Sequence, residues 1–445
     1  MKPGRIVWLL IYFLSPLIPM YLIMGATPWN TSNPVYLLSL ATGIFAYCWL
    51  VNQFILAARP KFLEVLFGAD RMYHFHGLMA VISVGLAIIH KYLKEYLTGN
   101  EPLNGQIALI LFIVTVIISL IMLMNTFLQK WKPVSETRKF LTTKLGLKFH
   151  IVVLLHNLTV VAALALVLHV LASSAARASA TVRAFYGGYF ALGAGFYLFH
   201  KFLRPWLLDR KHYEVTRVVQ ESPNIRTIHF KRNGEKVLAY KPGQFLFFTP
   251  FSNGVSAEPH PFSISSSPSR RDEISITVKE LGDFTASLDN VRPGDKAHLD
   301  GPYGIFSYLN YPLEREIIFI TGGIGITPIL SMLRYMADVD PGRKVNLLWG
   351  VNTPQDMICR EELEGLRTAL PHFNFTPVVA FDQTWQGEQG FIDQEKIRRL
   401  ALADGEVRSK DFYLCGPPAM MDILLSHLKA LQIPKQNIHF ERFAL

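Results

Sequence analysis

Apolar residues are unevenly spread along this chain, and that distribution limits what it can fold into. Before about residue 203 they form long runs, and beyond that point the composition becomes ordinary. The chain has 445 residues, is 50% hydrophobic and has a mean hydropathy of +0.25. A chain this long and apolar predicts a membrane part, residues 1–205, followed by a soluble part. Six runs are long enough to span a membrane: residues 6–24, 35–57, 73–93, 107–128, 149–171 and 182–203.

Basic residues between the runs predict how the chain is oriented. Arg59, Lys61 and Arg71 lie between the second and third runs, and a larger basic cluster lies between the fourth and fifth. By the positive-inside rule these connections are cytoplasmic, as are the N-terminus and everything after Lys201. We therefore expect an integral protein of the cell (inner) membrane in a lipid bilayer, with runs three and five crossing in the same direction. The net charge of +10 is explained in this way, so no nucleic-acid partner is predicted.

Two of the runs each carry a histidine near both ends. His76 and His90 are fourteen residues apart, which places both rings on one helix face, roughly 21 Å apart along the axis. His156 and His169 are thirteen apart, about 140° out of register for a straight helix. That helix must be kinked or bulged, or its side chains approach a shared ligand at different angles.

Matched heights in two parallel helices make these histidines candidate metal ligands. Two levels of two neutral imidazoles suit two haems of b type, each held between helices. His76 with His156 would hold the inner haem, and His90 with His169 the outer one. For a single intramembrane histidine, a structural role within a buried segment is an equally good interpretation.

The soluble part shows two successive patterns. From about residue 213, short alternating strands predict a small antiparallel β-barrel over residues 206–312. From Arg315, apolar strands alternate with helices, which predicts a doubly wound α/β domain over residues 313–445. The predicted fold is therefore a multidomain membrane protein: a six-helix transmembrane bundle, then the barrel, then the α/β domain.

Three short motifs lie in the predicted barrel. The first is HPFSIS, formed by His260, Pro261, Phe262, Ser263, Ile264 and Ser265. The second contains Lys279, Gly282 and Thr285, and the third is a GPYG turn with Gly301 and Gly304. Each alone is an ordinary strand or loop. Together they resemble the FAD motifs of the membrane NADPH oxidases and ferric reductases, whose soluble half is similar to ferredoxin-NADP reductase.

This resemblance implies that all the motif residues named above bind FAD. Phe262 would lie against the isoalloxazine, and Ser263 would approach its reactive edge as a catalytic residue. Thr285 would bond a phosphate oxygen. His260 stands where soluble relatives carry an arginine, so a direct charge contact with the pyrophosphate does not follow from the resemblance.

The α/β domain contains two further motifs at strand ends. Its first strand leads into a turn with Gly322, Gly323, Gly325, Thr327 and Pro328, where glycines let a pyrophosphate approach backbone amides at the positive end of a helix. About ninety residues later another strand ends in Cys415, Gly416 and Pro417, the motif that in relatives lies beside the nicotinamide. Taken alone, Cys415 would be a small buried apolar residue.

The cofactor's remaining contacts are less specific in the sequence. Phe443 is the candidate for the aromatic residue that covers the flavin in relatives, with a packing role nearly as well supported. Polar or basic groups for a 2'-phosphate are Asn352, Thr353 and Arg360. No arginine directly follows the strand, so NADPH is only weakly favoured over NADH.

The order of these parts implies a transmembrane electron path. Cytoplasmic NAD(P)H would reduce FAD, and electrons would pass singly to the inner and then the outer haem. The acceptor stays open between O2, giving superoxide, and a ferric chelate; no obligatory protein partner is predicted. Two other classes remain: a transporter or proton relay using the histidines, and a membrane-anchored flavin or quinone reductase without haem.

Overall fold

The structure of the chain is a computed structural model. It describes residues 3–26, 33–99, 102–123, 131–144, 146–147, 149–232, 236–311, 315–403 and 405–442. The chain divides into two compact units, Met1–Pro205 and Trp206–Leu445, here called the N-terminal and C-terminal units.

The N-terminal unit is helical throughout its described residues. Its helices are α1 (Pro3–Leu14), α2 (Leu17–Ala26), α3 (Pro34–Ala57), α4 (Lys61–Phe67), α5 (Ala69–Thr98), α6 (Leu103–Met122), α7 (Lys132–Thr143), α8 (Phe149–His156), α9 (Leu158–Leu171), α10 (Ser174–Ala178) and α11 (Ala180–Leu198). A π-helical turn (Phe199–Leu203) continues into α12 (Arg204–Asp209). Asn33 caps α3 by accepting hydrogen bonds from the backbone of Val35 and Tyr36.

Five helical segments of the described chain are long and apolar enough to cross a membrane: Pro3–Gly25, Pro34–Ala57, Arg71–Thr98, Leu103–Met122 and Ile151–Leu171. They coincide with the first five predicted runs, except that residues 124–128 of the fourth run lie outside the described residues. The sixth run forms α11, a helix that contains Arg183, Gly187 and Gly188 and is not among these five segments. Its role as a sixth span stays a prediction.

The fifth run does not form one straight helix. Helix α8 ends at His156, α9 begins at Leu158, and the amide of Asn157 bonds to the carbonyls of Val153 and Leu154. The irregularity expected from the thirteen-residue histidine spacing is therefore confirmed, and it lies beside the first of the two histidines.

The C-terminal unit begins with an antiparallel barrel. Its strands are β1 (Tyr213–Ser222), β2 (Ile225–Lys231), β3 (Phe245–Phe251), β4 (His260–Ser263), β5 (Ile274–Lys279) and β6 (Lys296–Tyr303), with the short helix α13 (Asp283–Ser287) after β5. The order is β4-β3-β6-β1-β2-β5, and a bridge between Ile264 and Ile276 brings the two ends together. Side chains such as Ile228, Phe248 and Ile276 fill the interior.

A parallel sheet with helices on both faces follows. Its strands are β7 (Glu316–Gly322), β8 (Val345–Val351), β9 (Phe373–Val379), β10 (Glu388–Gln389), β11 (Lys410–Gly416) and β12 (Ile438–Arg442), in the order β10-β9-β8-β7-β11-β12. Helices α14 (Ile326–Val339), α15 (Arg360–Ala369), α16 (Gln394–Ala401) and α17 (Pro418–Ala430) connect them. The predicted barrel followed by an α/β domain is confirmed. The carboxyl ends of β7 and β11 lie side by side at one edge of the sheet, where such folds bind ligands.

Candidate functional site

The four histidines of the third and fifth apolar runs lie in two pairs. The rings of His76 and His156 have centroids 6.2 Å apart, and those of His90 and His169 have centroids 6.4 Å apart. His76 of α5 meets His156 at the end of α8, and His90 of α5 meets His169 of α9. Because the pairs occur in the same order along both segments, these segments run in the same direction.

Hydrogen bonds define which nitrogen of His90 is free. Its Nδ1 lies 2.7 Å from the carbonyl oxygen of Ser39. A carbonyl can only accept, so Nδ1 carries the proton and Nε2 keeps its lone pair. This is the arrangement that metal-ligating histidines adopt.

Ser119 fixes the protonated ring nitrogen of His156 in the same way. The Ser119 hydroxyl donates its single proton to the carbonyl of Thr115 at 2.7 Å. Its oxygen lies 2.9 Å from His156 Nδ1, and can therefore only accept there. Nδ1 is again the protonated nitrogen, and Nε2 is available as a ligand.

Two glycines allow helices to approach the outer pair closely. A Cβ at Gly43 would lie 2.7 Å from His90 Nδ1, and a Cβ at Gly105 would lie 2.8 Å from His169 Nδ1. Any larger residue at either position would displace the imidazole. The sequence analysis did not identify these glycines, because their importance depends on contacts between different helices.

These observations test whether the residues fit a haem. A metal about 2 Å from a nitrogen on each side places two opposed imidazole rings roughly 6 Å apart, which matches both pairs. His76 Nδ1 is buried and has no hydrogen-bond partner among the described residues, so a polar group remains available at the inner pair. The described residues contain no cluster of three or more metal-binding side chains. Each pair instead presents two imidazoles that could hold one haem between them, and in this respect the residues fit the group.

The flavin motif occupies the edge strand β4. Phe262 pairs with Leu246 and Ser263 with Phe245 of β3. Ser263 is 5% exposed, and its hydroxyl has no hydrogen-bond partner among the described residues. A buried, unsatisfied hydroxyl next to a predicted flavin is available to donate to that flavin.

His260 contributes a ring rather than a charge. It stacks on Phe284 with centroids 3.5 Å apart, and the Phe284 ring is also nearly parallel to that of Phe262. Burial lowers the pKa of His260, with Glu258 acting in the opposite direction, so the imidazole is mainly neutral at pH 7. The sequence did not predict a role for Phe284, because only Gly282 and Thr285 were identified as candidates in this loop.

The last two residues of HPFSIS have their side chains elsewhere. Ile264 is fully buried in the barrel core. The Ser265 hydroxyl lies 3.0 Å from those of Ser275 and Thr277. Any contact of Ile264 or Ser265 with a cofactor must therefore come from the backbone, a restriction that their sequence positions did not indicate.

In the second motif, the hydroxyl of Thr285 forms its hydrogen bonds with the neighbouring backbone. The Thr285 hydroxyl donates to the carbonyl of Gly282 and accepts from the amides of Leu281 and Gly282, at 2.8–3.0 Å. A phosphate bond to Thr285 would have to replace one of these contacts. Lys279 lies at the end of β5, with its Nζ 3.8 Å from Asp356.

The dinucleotide motifs meet at the carboxyl ends of β7 and β11. Thr321 and Cys415 are paired in register. A Cβ at Gly325 would lie 2.7 Å from the carbonyl carbon of Cys415 and 2.9 Å from Gly416 Cα, and one at Gly322 would overlap Met420. Thr327 and Pro328 are buried, whereas Gly323 and Pro417 are more exposed. Only glycine permits this contact between backbones.

Glu441 connects the flavin motif with the cysteine motif. On β12 it pairs with Cys415, and its carboxylate lies 3.1 Å from the position of a Cβ at Gly304, which has φ +93°. That same position is 3.1 Å from the ring of Phe245, which pairs with Ser263 in the sheet. A Cβ at Gly301 would lie 2.9 Å from Leu246 Cβ.

Burial, followed by the charge of Glu441, raises the pKa of the Cys415 thiol well above its usual value. Sequence analysis missed Glu441 and chose Phe443, which lies outside the described residues.

Two of the three residues expected to select the dinucleotide, Thr353 and Arg360, already have side-chain partners. Both the amide and hydroxyl of Thr353 approach one carboxylate oxygen of Asp356, at 3.1 and 3.2 Å. Arg360 Nε donates to Glu364 at 2.8 Å. The choice between NADPH and NADH therefore stays open.

Comparison with known proteins identifies the two domains of the C-terminal unit. Residues 211–307 match the family model of an FAD-binding domain, and residues 319–425 match that of an oxidoreductase NAD-binding domain. The C-terminal unit therefore contains an FAD-binding domain followed by an oxidoreductase NAD-binding domain, the arrangement of the FAD/NAD module of ferredoxin-NADP reductase.

Individual relatives match the same part of the chain. The glycine betaine monooxygenase reductase subunit of Chromohalobacter salexigens is 29% identical over 245 residues, covering 54% of this chain and 65% of that protein. The toluate 1,2-dioxygenase electron transfer component of Pseudomonas putida is 30% identical over 236 residues, covering 52% of this chain and 66% of that protein. This chain thus spans 65–66% of the length of these relatives.

Among solved structures, a flavohemoglobin from Malassezia yamatoensis with bound FAD and haem has a TM-score of 0.50. The two are 16% identical, and the match covers 92% of this chain and 96% of that one. At this identity the likeness concerns the fold alone.

Proposed function

We propose that this protein is a transmembrane electron-transfer enzyme that carries electrons from cytoplasmic NAD(P)H, through FAD and two b-type haems, to an acceptor on the outer side of the membrane. The observation that carries the proposal is the pairing of four intramembrane histidines, His76 with His156 and His90 with His169, at ring spacings suited to one metal between each pair.

The fixed tautomers add independent support. Ser39 and Ser119 hold the Nδ1 protons of His90 and His156, and so direct Nε2 toward the space between the helices. A proton relay would need no such restriction, because it requires each ring to exchange protons at both nitrogens. Bound haem would supply a one-electron carrier with both axial positions filled by protein.

The C-terminal unit would carry out the first step. The glycines at the ends of β7 and β11 admit the dinucleotide, and Ser263 supplies a buried hydroxyl at the flavin strand. FAD held there would supply a group able to take up a hydride and to pass its electrons on one at a time. Cys415 remains a neutral thiol next to this site because of its raised pKa, so it contributes shape and no charge.

Two acceptors are compatible with the proposal. His90 and His169 would hold the outer haem between them, so O2 or a ferric chelate would have to take its electron without binding the metal. The basic residues of the second and fourth connections favour an orientation in which the reductase unit is cytoplasmic.

The decisive test is the absorption spectrum of the full-length protein in detergent, with haem counted per chain, before and after NADH or NADPH under nitrogen. We expect two low-spin haems that are reduced only when FAD is present. Superoxide formation and ferric-chelate reduction, measured side by side, then distinguish the acceptors. The four single histidine-to-alanine variants should each lose haem from their own pair.

A second candidate is a membrane-anchored flavin reductase that passes electrons to a separate protein or to quinone. The names of the relatives favour it, since they are reductase or electron-transfer components of oxygenase systems, and the matches cover 52–54% of this chain. It predicts a flavin spectrum without haem, and full NAD(P)H activity after replacement of His76 or His90.

A further inference from the structure

The chain directly after the flavin strand is a run of serines, Ser265, Ser266, Ser267 and Ser269, interrupted by Pro268. We call residues 265–269 the serine tract. It lies against helix α14, which begins at the glycine turn of the dinucleotide site. Ser331, Arg334 and Asp338 recur on α14 at intervals of three and four residues, so they form one face of the helix.

All three side chains on that face bond to the serine tract. The Ser331 hydroxyl donates to the carbonyl of Ser266 at 2.6 Å, and Arg334 Nη1 donates to the carbonyl of Ser265 at 2.5 Å. One carboxylate oxygen of Asp338 accepts from the Ser267 hydroxyl at 2.7 Å and also from the Ser269 hydroxyl. Four hydrogen bonds therefore connect the α/β domain to the segment that follows the flavin motif.

Arg334 extends the connection to a third element. Its Nε and Nη2 donate to the two carboxylate oxygens of Glu362 on α15, each at 2.6 Å. This fork is the geometry in which arginine is most strongly oriented. One guanidinium thus joins the flavin motif, the helix at the pyrophosphate site and the helix that follows β8.

The serine tract is itself held to the barrel. The Ser266 hydroxyl accepts from the amide of Ser275 at 3.0 Å and contacts the Tyr240 hydroxyl at 2.8 Å. The Ser265 amide donates to the carbonyl of Ser275 at 2.9 Å. A displacement of α14 relative to the barrel would therefore break these contacts.

We propose that Ser331, Arg334 and Asp338 are positioning residues for hydride transfer, because they set the distance between the nicotinamide dinucleotide and the flavin. In that transfer the C4–H bond of the dihydronicotinamide would break and an N5–H bond would form on the flavin, which would take up the hydrogen with both electrons. The donor becomes the oxidised nicotinamide. Reacting atoms must approach to about 3–3.5 Å, and a misplacement of about 1 Å can cost roughly 100-fold in rate. The inference rests on the flavin reductase activity of the C-terminal unit and does not depend on haem.

The test is anaerobic stopped-flow reduction of FAD in the full-length protein over a range of NADH and NADPH concentrations. We expect Ser331→Ala and Arg334→Gln to lower the limiting rate of flavin reduction about tenfold, while the apparent Kd of the nucleotide changes less than twofold. With 4-deuterated NADH the isotope effect should be at least that of the wild type. Arg334→Lys should recover part of the rate, since it can reach Ser265 but cannot fork to Glu362.

A matched control is Arg399→Gln. It removes an arginine that forks to Glu388 at 2.9 and 2.7 Å in the same domain and makes no contact with the serine tract. We expect a wild-type limiting rate for this control. If Arg334→Gln fails to fold, the test rests on Ser331→Ala and Asp338→Asn, because each of these substitutions changes the side-chain volume only slightly.

Wild-type limiting rates in Ser331→Ala and Asp338→Asn would overturn the inference. The inference would also be overturned if the loss of the limiting rate were fully explained by a larger fraction of chains without FAD. If neither NADH nor NADPH reduces the FAD of the wild-type protein, the reductase activity itself is overturned. This outcome is distinguishable, because it appears already in the stopped-flow trace of the wild type.

Discussion

The Thr321 hydroxyl donates a hydrogen bond of 2.8 Å to the carbonyl oxygen of Cys415, ninety-four residues further along the chain. Both atoms belong to fully buried residues at the carboxyl ends of adjacent parallel strands. The bond joins the glycine turn after β7 to the cysteine motif after β11, and so the two halves of the dinucleotide site form one rigid edge.

Substitution at Gly325 should disrupt this edge. A Cβ there meets the backbone of Cys415 and Gly416 at 2.7–2.9 Å, and backbone cannot move aside as a side chain can. We expect Gly325→Ala to retain FAD but to lower NAD(P)H-dependent flavin reduction more than tenfold, measured from flavin absorbance. Gly342→Ala, at a position with open space, is the control. Equal rates in the two variants would contradict this prediction.

Small residues near the outer histidine pair should control haem content. Gly43→Ala and Gly105→Ala place a methyl group 2.7–2.8 Å from His90 and His169. If the outer haem is bound there, each variant should fall from two haems per chain to about one. Gly85→Ala changes the same helix as His90 where nothing lies within 4 Å, and should keep both. Two haems in Gly105→Ala would argue against the outer assignment.

If a haem is bound at the inner histidine pair, Ser119 should tune its midpoint potential without being required for its binding. Its oxygen accepts from His156 Nδ1, which makes the imidazole a stronger electron donor and favours the oxidised metal. We expect Ser119→Ala to raise the midpoint potential of one haem by roughly tens of millivolts, with little loss of haem. Redox titration followed by absorption measures this. A fall in potential would show that Nδ1 does not donate to Ser119.

The cysteines of the C-terminal unit should be unreactive while the protein is folded. Burial, followed by the charge of Glu221, raises the pKa of Cys359 to about 12, and Cys415 is raised by burial and Glu441. Because only the thiolate reacts, alkylation by iodoacetamide at pH 9 should be about 100-fold slower than in the unfolded chain. Mass spectrometry of the two peptides, with guanidinium-unfolded protein as control, tests this. Rapid labelling of Cys359 in folded protein would refute its raised pKa.

Stability of the barrel should decrease in acid. Burial is the largest effect on the pKa of His229, His260 and His298, and in each case the pKa is lower in the folded protein than the ordinary value of 6.5. Such a group stabilises the fold above pH 6.5, and this contribution is lost as pH falls toward the folded-state pKa. The Tm for release of fluorescent FAD should therefore decrease between pH 7.5 and 5.5.

A double variant, His229→Gln with His298→Gln, serves as the control for that experiment. It removes two of the three titrating groups, so the Tm should depend less steeply on pH than in the wild type. An unchanged slope would mean that other groups, rather than these histidines, cause the acid sensitivity.

Much of the architecture follows from local sequence patterns. Five of the apolar runs coincide with long apolar helices, and the change to short alternating strands and then to strand-helix repeats coincides with the barrel and the α/β domain. The thirteen-residue spacing of His156 and His169 indicated a break, which occurs at Asn157. These features are determined by neighbours a few residues apart, so the sequence alone carries them.

Contacts between distant segments required the tertiary structure. No local pattern places Ser119 against His156, Glu441 against Cys415, or Arg334 against the serine tract, because each partner is ordinary in its own segment and gains a role only from burial next to the other. Ile264 is the opposite case. Its motif predicted a cofactor contact, but its side chain lies in the barrel core. The sequence by itself determined the order and kind of the elements, through their periodicity and composition. Only the folded chain decided which side chains meet, because close packing and hydrogen bonding act between residues that the sequence separates widely.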